Sequence, residues 1–295
     1  MTLRAATVAR LEDQGLDPAA VEAVAAAALR EDLALGPDVT SEAVIGPESR
    51  SRGAFVARGS GVLAGAFVAV AVCEVASGRD LEVRVALEDG ASLQPGDVVA
   101  TVAGSTRALL RAERSALNLL CHLSGVATLT RKWVEAVGGS GAVVRDTRKT
   151  TPGLRALEKY AVRCGGGQNH RMGLGDAALI KDNHVAAIGS VTAALRAVRS
   201  AAPDVAVEVE CDTLAQVVEA LAAGADLILL DNMAPPTIRR AVEIARAHGA
   251  VRLEASGGLS LEQVAVVAAT GVDYLAVGAL THSAPILDIG LDLDA

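Results

Sequence analysis

The chain has 295 residues, which is enough for one large domain or two ordinary domains with a sizeable core. Hydrophobic residues make up 51% of it but aromatic residues only 2%, so Ala, Val and Leu must fill the interior, which favours helices packed closely against strands. The formal net charge is -8, and no basic stretch is interleaved with aromatic residues, which argues against a nucleic-acid-binding protein.

The first part of the chain, residues 1–118, is predicted to form an α+β domain. Its predicted elements are an Ala-rich helix at 19–29 and strands at 53–57, 81–87 and 97–102. Ser105 or Thr106 is predicted to cap a long helix through Leu120, with a break near Ser124 and Gly125 and a further helix to residue 137. We expect the C-terminal segment, 282–295, to pack back on this domain.

The rest of the chain, residues 119–281, alternates short β-branched runs with amphipathic helical segments, which is typical of a parallel α/β architecture. The predicted strands are 142–145, 177–180, 205–209, 226–230, 250–253 and 272–277. Gly224 and Gly249 are predicted to end two of the helices in left-handed conformations. All six strands run into polar residues or glycine, and because parallel barrels build their sites at the carboxyl ends of their strands, a barrel is favoured over an open doubly wound sheet.

A basic segment lies across the first two of these strands. Residues 145–182 contain eight Lys or Arg residues and four acids, a local net charge of +4 in an acidic protein. Three of the four lysines in the whole chain, Lys149, Lys159 and Lys181, fall within it. A solvated basic face is the ordinary interpretation of such a cluster, but several of these cations stand at the ends of apolar runs. The segment therefore predicts an anion-binding site.

The candidate site residues follow from the strand ends. Cationic side chains come from Arg148, Lys149, His170, Arg171 and Lys181, and carboxylates come from Glu210 and Asp231. Arginine forks bind carboxylates, lysines pair with phosphate oxygens, and two carboxylates near phosphates commonly hold Mg²⁺ with waters, so both acids are candidate metal ligands. Backbone N–H groups that could bind phosphate are predicted at Ser256, Gly257 and Gly258, which are expected to open a helix, and at Gly278.

Taken singly, several of these residues also fit different roles. Lys181 at a strand end could instead be a Schiff-base lysine of an aldolase. His170 could equally be a hydrogen-bonded structural histidine, and the glycines at 165–167 could form a flexible helix end. The combination of residues, rather than any one of them, indicates a polyanion site.

Several motifs resemble the quinolinate phosphoribosyltransferase family over nearly the whole chain. They are DTRKTTPGLR at 146–155, GGGQNHRMGLGDAALIKDNH at 165–184, VEVE at 207–210, LLDN at 229–232 and EASGG at 254–258, with AERSALNLL at 112–120, HLSG at 122–125, EDL at 31–33 and DVTS at 38–41 in the N-terminal part. The resemblance implies an incomplete parallel α/β barrel preceded by an N-terminal α+β domain.

The same resemblance implies an activity, which is transfer of phosphoribose from phosphoribosyl pyrophosphate to quinolinate with loss of CO₂, as in de novo NAD biosynthesis. Arg148, His170, Arg171 and Lys181 would then surround the quinolinate carboxylates, and Lys149 would pair with phosphate. Glu210 and Asp231 would serve the ribose and Mg²⁺, and Lys149, Lys181, Glu210 and Asp231 would be the catalytic residues. A homodimer is implied in which Arg114 acts in the partner's site.

Two alternatives stay open: a related phosphoribosyltransferase for another aromatic acid, and a Schiff-base lyase that uses Lys181. A non-catalytic anion-binding protein is a third class. The four cysteines, at 73, 121, 164 and 211, are too far apart in sequence to indicate zinc or a disulfide framework, so we expect reduced thiols. The N-terminus lacks the apolar centre of a signal peptide, and the apolar run 61–73 is too short to span a bilayer, so a soluble cytoplasmic protein without a membrane partner is expected.

Overall fold

The computed structural model describes residues 3–78 and 80–294. Its helices are α1 (Ala5–Asp13), α2 (Pro18–Asp32), α3 (Val39–Val44), α4 (Ala66–Ser77), α5 (Thr106–Ala136), α6 (Arg155–Cys164), α7 (Asp182–Ile188), α8 (Val191–Ala201), α9 (Leu214–Ala222), α10 (Pro235–His248), α11 (Val264–Ala268) and α12 (Ala279–His282). Its strands are β1 (Arg50–Ala57), β2 (Gly61–Val62), β3 (Leu81–Val85), β4 (Ser92–Leu93), β5 (Val98–Ser105), β6 (Val143–Arg145), β7 (Ala177–Ile180), β8 (Ala206–Cys211), β9 (Leu227–Asp231), β10 (Arg252–Ser256), β11 (Tyr274–Ala276) and β12 (Ile289–Leu293). Among the described helices, none has the length and apolar character that crossing a bilayer requires.

The chain divides into two units. The first consists of the residues up to Arg131, the segment Thr151–Gly166 and the residues from Thr281 onward, and the second consists of Lys132–Thr150 and Gly167–Leu280. Residues 119–131 and 151–166 thus belong to the first unit, whereas the boundary expected from the sequence lay between 118 and 119. The basic segment is divided as well, because Lys159 is fully buried within the first unit.

The first unit is built around an antiparallel sheet in the order β12-β1-β5-β3. The last strand of the chain lies at its edge, where Gly53 of β1 is opposite Leu293 of β12. The apolar run 61–73 supplies the short strand β2 and much of α4, in which eight of twelve residues are buried. Because α4 is apolar on all sides apart from Glu74, which is itself buried, it must lie inside the unit rather than on its surface.

Helix α5 is continuous, so the predicted break near Ser124 and Gly125 is wrong. Gly125 is required by a close approach instead, since a Cβ atom there would lie 2.2 Å from the carbonyl oxygen of Pro285. Ser124 is buried, and its Oγ donates to the carbonyl oxygen of Ala64 at 3.2 Å. Both residues therefore belong to a helix interior against which another segment packs tightly.

The second unit contains six parallel strands in the order β6-β11-β10-β9-β8-β7. Five strands follow chain order, and the first strand, β6, pairs with the last, β11. This circular order is that of a barrel, and within the described residues no ladder joins β6 to β7. Along the other edge of β6, the described residues form an isolated bridge between Arg145 and Gln168. The predicted fold class, an incomplete parallel α/β barrel with an N-terminal α+β domain, is confirmed.

Local sequence signals account for the helices between the barrel strands. Thr213 and Gln216 form a reciprocal capping box at the start of α9. Gly224 follows this helix with φ of +82°, as the left-handed prediction requires. Gly249 after α10 has φ of 154° and ψ of -155°, which is not a left-handed helix end, so that prediction is wrong. There the chain turns away in a conformation that is accessible mainly to glycine.

Candidate active site

The second unit carries a cavity of about 520 Å³ at the carboxyl ends of its strands. Its lining residues are Thr147, Arg148, Lys149, His170, Arg171, Leu179, Lys181, Glu210, Leu229, Asp231, Asn232, Glu254, Ser256, Gly257, Gly258 and Ala276. All six strands, or the segments that directly follow them, contribute to it, because parallel strands bring their carboxyl ends to one mouth. Four cationic side chains other than histidine and three carboxylates therefore surround a volume that suits small ligands.

Two arginines are poised to bind an anion. The Nε atom of Arg148 is buried and has no hydrogen-bond partner among the described residues. Arg171 donates from Nη1 to the carbonyl oxygen of Ala177 at 3.1 Å, which fixes its direction. Burial, and then the positive charge of Arg148, lower the pKa of Arg171 from its ordinary value. Because these guanidinium groups repel each other and one is incompletely hydrogen-bonded, an anion between them would be stabilised.

Lys181 follows β7 and faces Glu210 near the end of β8. Its Nζ lies 2.9 Å from Oε2 of Glu210, and its side chain is 48% exposed. A Schiff-base lysine is activated by an apolar pocket or a neighbouring cation. Pairing with a carboxylate in a half-open site is the opposite environment, so the arrangement favours ion pairing over amine nucleophilicity.

The two candidate metal ligands stand on neighbouring strands. Glu210 is paired with Lys181 through Oε2, and Asp231 at the end of β9 accepts from Nδ2 of Asn232 through Oδ2 at 2.6 Å. Each carboxylate thus has one oxygen held by a protein donor, and within the described part of the chain the second oxygen is left for another ligand. Hard carboxylate oxygens of this kind, with room for water between them, suit Mg²⁺, which keeps several waters when bound.

Asn232 and Gly257 form a tight corner beside Asp231. Asn232 has φ of +52°, a left-handed conformation that asparagine adopts more readily than most residues. Its backbone N–H donates to the carbonyl oxygen of Ser256, and a Cβ atom at Gly257 would lie 2.2 Å from its Oδ1. Glycine is therefore required at 257, and the corner holds Asp231 in place.

The predicted helix at Ser256–Gly258 is wrong. After β10 the next helix, α11, begins only at Val264 and has five residues. The three residues line the cavity through a loop in which Gly257 and Gly258 both have positive φ, so no helix dipole reaches it from this segment. Gly278 follows β11 and is not among the described residues that line the cavity, and Arg114 is exposed on α5 in the first unit.

His170 lines the cavity, but the protein already engages both of its ring nitrogens. Nδ1 accepts from the backbone N–H of Arg171 at 2.8 Å, and Nε2 lies 2.7 Å from Oε2 of Glu208. The backbone N–H of His170 donates to Oδ1 of the buried Asp146 at 2.8 Å. These contacts hold the ring and the adjoining backbone in one orientation.

A second buried carboxylate, Glu254 on β10, joins this cluster. Its Oε1 is 3.5 Å from Nε2 of His170, and its Oε2 accepts from Nη1 of Arg145 at 2.5 Å. Burial first, and then the negative charge of Glu208, raise the pKa of Glu254 to about 7. The site residues predicted from the sequence did not include Glu254, Glu208, Asn232 or Thr147. The signal that could have found the two glutamates was an acid inside an otherwise apolar strand, because such a residue is rarely buried without a specific partner.

Known proteins resemble this chain over most of its length. Residues 38–124 match the family model described as quinolinate phosphoribosyl transferase, N-terminal domain, and residues 126–292 match that of the C-terminal domain. The chain is 57% identical over 270 residues to the nicotinate-nucleotide pyrophosphorylase [carboxylating] of Mycobacterium leprae, spanning 90% of this chain and 94% of that protein. It is 39% identical to the human protein of the same name, spanning 95% and 94%.

Solved structures also resemble this chain over most of its length. The crystal structure of NadC from Streptococcus pyogenes superposes with a TM-score of 0.88 at 41% identity, covering 95% of this chain and 99% of that one. The nicotinate-nucleotide pyrophosphorylase of Francisella tularensis gives a TM-score of 0.88 at 34% identity, covering 93% and 96%. The chain belongs to the quinolinate phosphoribosyltransferase family.

Proposed function

We propose that this chain transfers the phosphoribosyl group from phosphoribosyl pyrophosphate to the ring nitrogen of quinolinate, with loss of the 2-carboxylate as CO₂. The products are nicotinate mononucleotide and pyrophosphate. The observation that carries the proposal is the cavity of the second unit, where Arg148, Lys149, Arg171 and Lys181 face the carboxylates of Glu210 and Asp231. The reaction is inferred from membership of the family, and the charged side chains that line the cavity suit both substrates.

Quinolinate is a dianion, so its binding needs cations that are held in fixed directions. The unpartnered Nε of Arg148 and the oriented guanidinium of Arg171 would form charge-assisted hydrogen bonds to its two carboxylates. Lys181 would stand beside them through its ion pair with Glu210. His170 would contribute through the contacts that its ring makes with Arg171 and Glu208 rather than through a free ring nitrogen.

The phosphoribosyl donor is assigned to the other side of the cavity. Lys149, which is exposed, would pair with phosphate oxygens, and the backbone N–H groups of Ser256–Gly258 would add hydrogen bonds. Gly278 follows β11 but is not one of the described residues that line the cavity. Its backbone N–H would therefore bind only phosphate oxygens that extend beyond the cavity lining. Glu210 and Asp231 would hold Mg²⁺ directly or through water, and the ion would neutralise the departing pyrophosphate oxygens.

The reaction follows from these charges. Without the cations, electrostatic repulsion between the quinolinate dianion and the more highly charged donor would cost on the order of several kcal/mol. Like charges a few ångströms apart repel by this order of magnitude at a low effective dielectric. As pyrophosphate leaves, positive charge develops on the ribose carbon, and Glu210 and Asp231 have the sign to stabilise it. Bond formation makes the ring nitrogen cationic, so the carbanion left by loss of CO₂ is compensated within the ring until it takes up a proton from solvent to give the product. Excluding water from the cavity would favour the loss of CO₂.

We also propose a homodimer in which Arg114 acts in the partner's cavity. Support comes from the open side of the barrel, where a cavity of about 410 Å³ beside the edge strand β7 is lined mostly by aliphatic residues. Leu174 and Ile188 there are 75% and 48% exposed. Exposed apolar surface next to a sheet edge is ordinarily covered by another chain.

Mixing two inactive variants tests the shared site. Arg114→Ala and Lys181→Ala protein, combined under conditions in which subunits exchange, should recover part of the activity, because a hybrid dimer contains one intact site. If a tag demonstrates subunit exchange and no activity is recovered, a role for Arg114 in trans is contradicted.

We assign the protein to the cytoplasm because all four cysteines are free thiols, as a reducing compartment maintains them.

The activity itself is tested directly. Purified protein is incubated with quinolinate, phosphoribosyl pyrophosphate and Mg²⁺, and nicotinate mononucleotide, CO₂ and pyrophosphate are measured. Nicotinate should not replace quinolinate, because it lacks the second carboxylate. Turnover of a different aromatic acid with no turnover of quinolinate would favour the related phosphoribosyltransferase. Borohydride trapping of an adduct on Lys181 would favour the Schiff-base lyase, and ligand binding without any turnover would favour a non-catalytic protein.

A further inference from the structure

A charged layer lies inside the barrel directly beneath the candidate active site. It is formed by Arg145 on β6, Glu208 on β8 and Glu254 on β10, with His170 beside them. Alternate strands of a parallel barrel supply one interior layer, so the three strand residues occupy positions that branched aliphatic side chains usually fill. Here the layer consists of two acids and two bases.

Stability alone does not account for this layer. The side chains of Glu208 and Glu254 are 5% and 0% exposed, and the guanidinium of Arg145 contacts Glu254. Oε1 of each carboxylate has no hydrogen-bond partner among the described residues. Well-packed apolar residues at such positions are often at least as stable as a buried ionic cluster. A functional reason for the charges is therefore expected.

The hydrogen bonds through His170 supply that reason. Nδ1 accepts the backbone N–H of Arg171, so the proton of the neutral ring must be on Nε2. Nε2 can then donate to Oε2 of Glu208, which lies 2.7 Å away. A continuous chain of contacts leads from the carboxylate of Glu208, through the imidazole, to the backbone of Arg171.

The same side chains could be taken for a metal site, because donor atoms of His170, Glu208 and Glu254 lie within 4.8 Å of one another. The guanidinium of Arg145 already occupies Oε2 of Glu254, and the Nε2 proton of His170 already serves Glu208. A metal ion would have to displace both contacts. The cluster therefore fits an internal scaffold better than a metal site.

We propose that Glu208 is a positioning residue for quinolinate, which fixes the imidazole of His170 and through it the backbone of Arg171. This inference rests on the proposed function, because Arg171 is assigned there to the quinolinate carboxylates. Arg171 is then anchored at both ends, since its backbone N–H donates to His170 and its guanidinium donates to the carbonyl oxygen of Ala177. Removing the acceptor at 208 would free the ring and loosen the first of these anchors.

Two substitutions separate position from charge. Glu208→Leu removes the acceptor at similar volume, and we expect the KM for quinolinate to rise about tenfold or more, since a misplaced charge-assisted contact loses much of its strength. The KM for phosphoribosyl pyrophosphate should stay within about twofold, because the donor contacts do not pass through His170. Glu208→Gln keeps a carbonyl acceptor for Nε2 and should recover most of the lost quinolinate affinity.

A matched control comes from a buried acid of the first unit. Glu74 is 1% exposed and accepts from the hydroxyl of Thr7 at 2.7 Å, outside the candidate site. Glu74→Leu should lower the melting temperature without a selective effect on the KM for quinolinate. A change in both KM values of the Glu208 variant, in parallel with the control, would indicate a general structural role and overturn the inference.

The ring itself gives a readout that does not depend on turnover. In ¹⁵N-labelled protein, with five histidines in the chain, His170 is identified by the signal that the His170→Asn variant lacks. We expect its Nε2 to be protonated and its Nδ1 to be an acceptor, with this signature lost in Glu208→Leu and kept in Glu208→Gln. The opposite tautomer in the unmodified protein would refute the contact chain even if Glu208→Leu failed to fold.

The outcomes also distinguish the inference from the proposed function. If the unmodified protein does not turn over quinolinate, the proposed function fails, while the ¹⁵N spectrum still tests the ring contacts. If it is active and folded Glu208→Leu keeps its KM for quinolinate within twofold, the positioning role is contradicted and the proposed function stands.

Discussion

Replacing Arg148 with alanine should weaken quinolinate binding more than replacing Arg171 does. The Nε of Arg148 is buried with no partner among the described residues, so the guanidinium group of Arg148 is available to bind a carboxylate. Hydrogen bonds to charged groups contribute about 1.5–3 kcal/mol each, and two of them in a partly open cavity would give about 3 kcal/mol, or roughly a 150-fold loss of affinity. Arg171 already commits one donor to the carbonyl oxygen of Ala177, so a loss of roughly 30-fold is expected for Arg171→Ala.

Isothermal titration of each variant with quinolinate alone, and separately with phosphoribosyl pyrophosphate and Mg²⁺, measures this difference. Arg148→Lys is the matched control, because it keeps the charge and loses the planar fork, and an intermediate affinity is expected. Donor affinity should change little in all three variants. Unaltered quinolinate affinity in both alanine variants, or an equal loss for both ligands, would refute the assignment of these arginines.

Three further results are expected. Gly125→Ala should lower the free energy of unfolding by about 1–3 kcal/mol in urea, although alanine normally stabilises a helix, because its Cβ would lie 2.2 Å from the carbonyl oxygen of Pro285; a gain in stability would contradict that close approach. Asp231→Ala should raise the Mg²⁺ and donor concentrations needed for half-maximal activity while quinolinate affinity is kept, and a selective loss of quinolinate binding would reverse the assignment. Folding raises the pKa of Glu254 from 4.5 to about 7, so the folded state retains a proton that the unfolded chain releases, and stability should fall as pH rises from 5 to 7. Thermal melts across this range should show a flatter decline for Glu254→Gln, and identical pH profiles would be inconsistent with a raised pKa.

Local patterns in the chain predicted most of the second unit. Strand β7 was expected at 177–180 and is found at Ala177–Ile180, because a short apolar run bounded by charged residues has few other structures available. The ends of β8 and β9 were misplaced by one or two residues, since hydrogen bonding to neighbouring strands decides where a strand ends. The break expected in α5 failed for a related reason. Glycine is a signal for both a helix end and a close approach, and only the neighbouring segment decides between them.

The candidate site shows the same division between local and tertiary information. Lys181, Glu210 and Asp231 could be found from the sequence because each ends the apolar run of a strand. The structure brings Arg148 and Arg171, which lie in polar segments, to the same cavity as Lys181. Glu208 and Glu254 interrupt apolar runs as well, yet nothing in their spacing shows that they meet at His170. They are 46 residues apart along the chain, and only the barrel places β8 and β10 on either side of β9.

By itself the sequence determined the class of the protein, its parallel strands and the family to which its motifs belong, because periodicity and short motifs act over a few residues. Only the tertiary structure decided which chemical groups are already engaged. It showed a histidine with both ring nitrogens engaged, a lysine paired with an acid, and an arginine whose buried N–H has no partner among the residues that the structure describes. Those properties depend on distances of about 3 Å between distant parts of the chain, over which hydrogen bonds and ion pairs act.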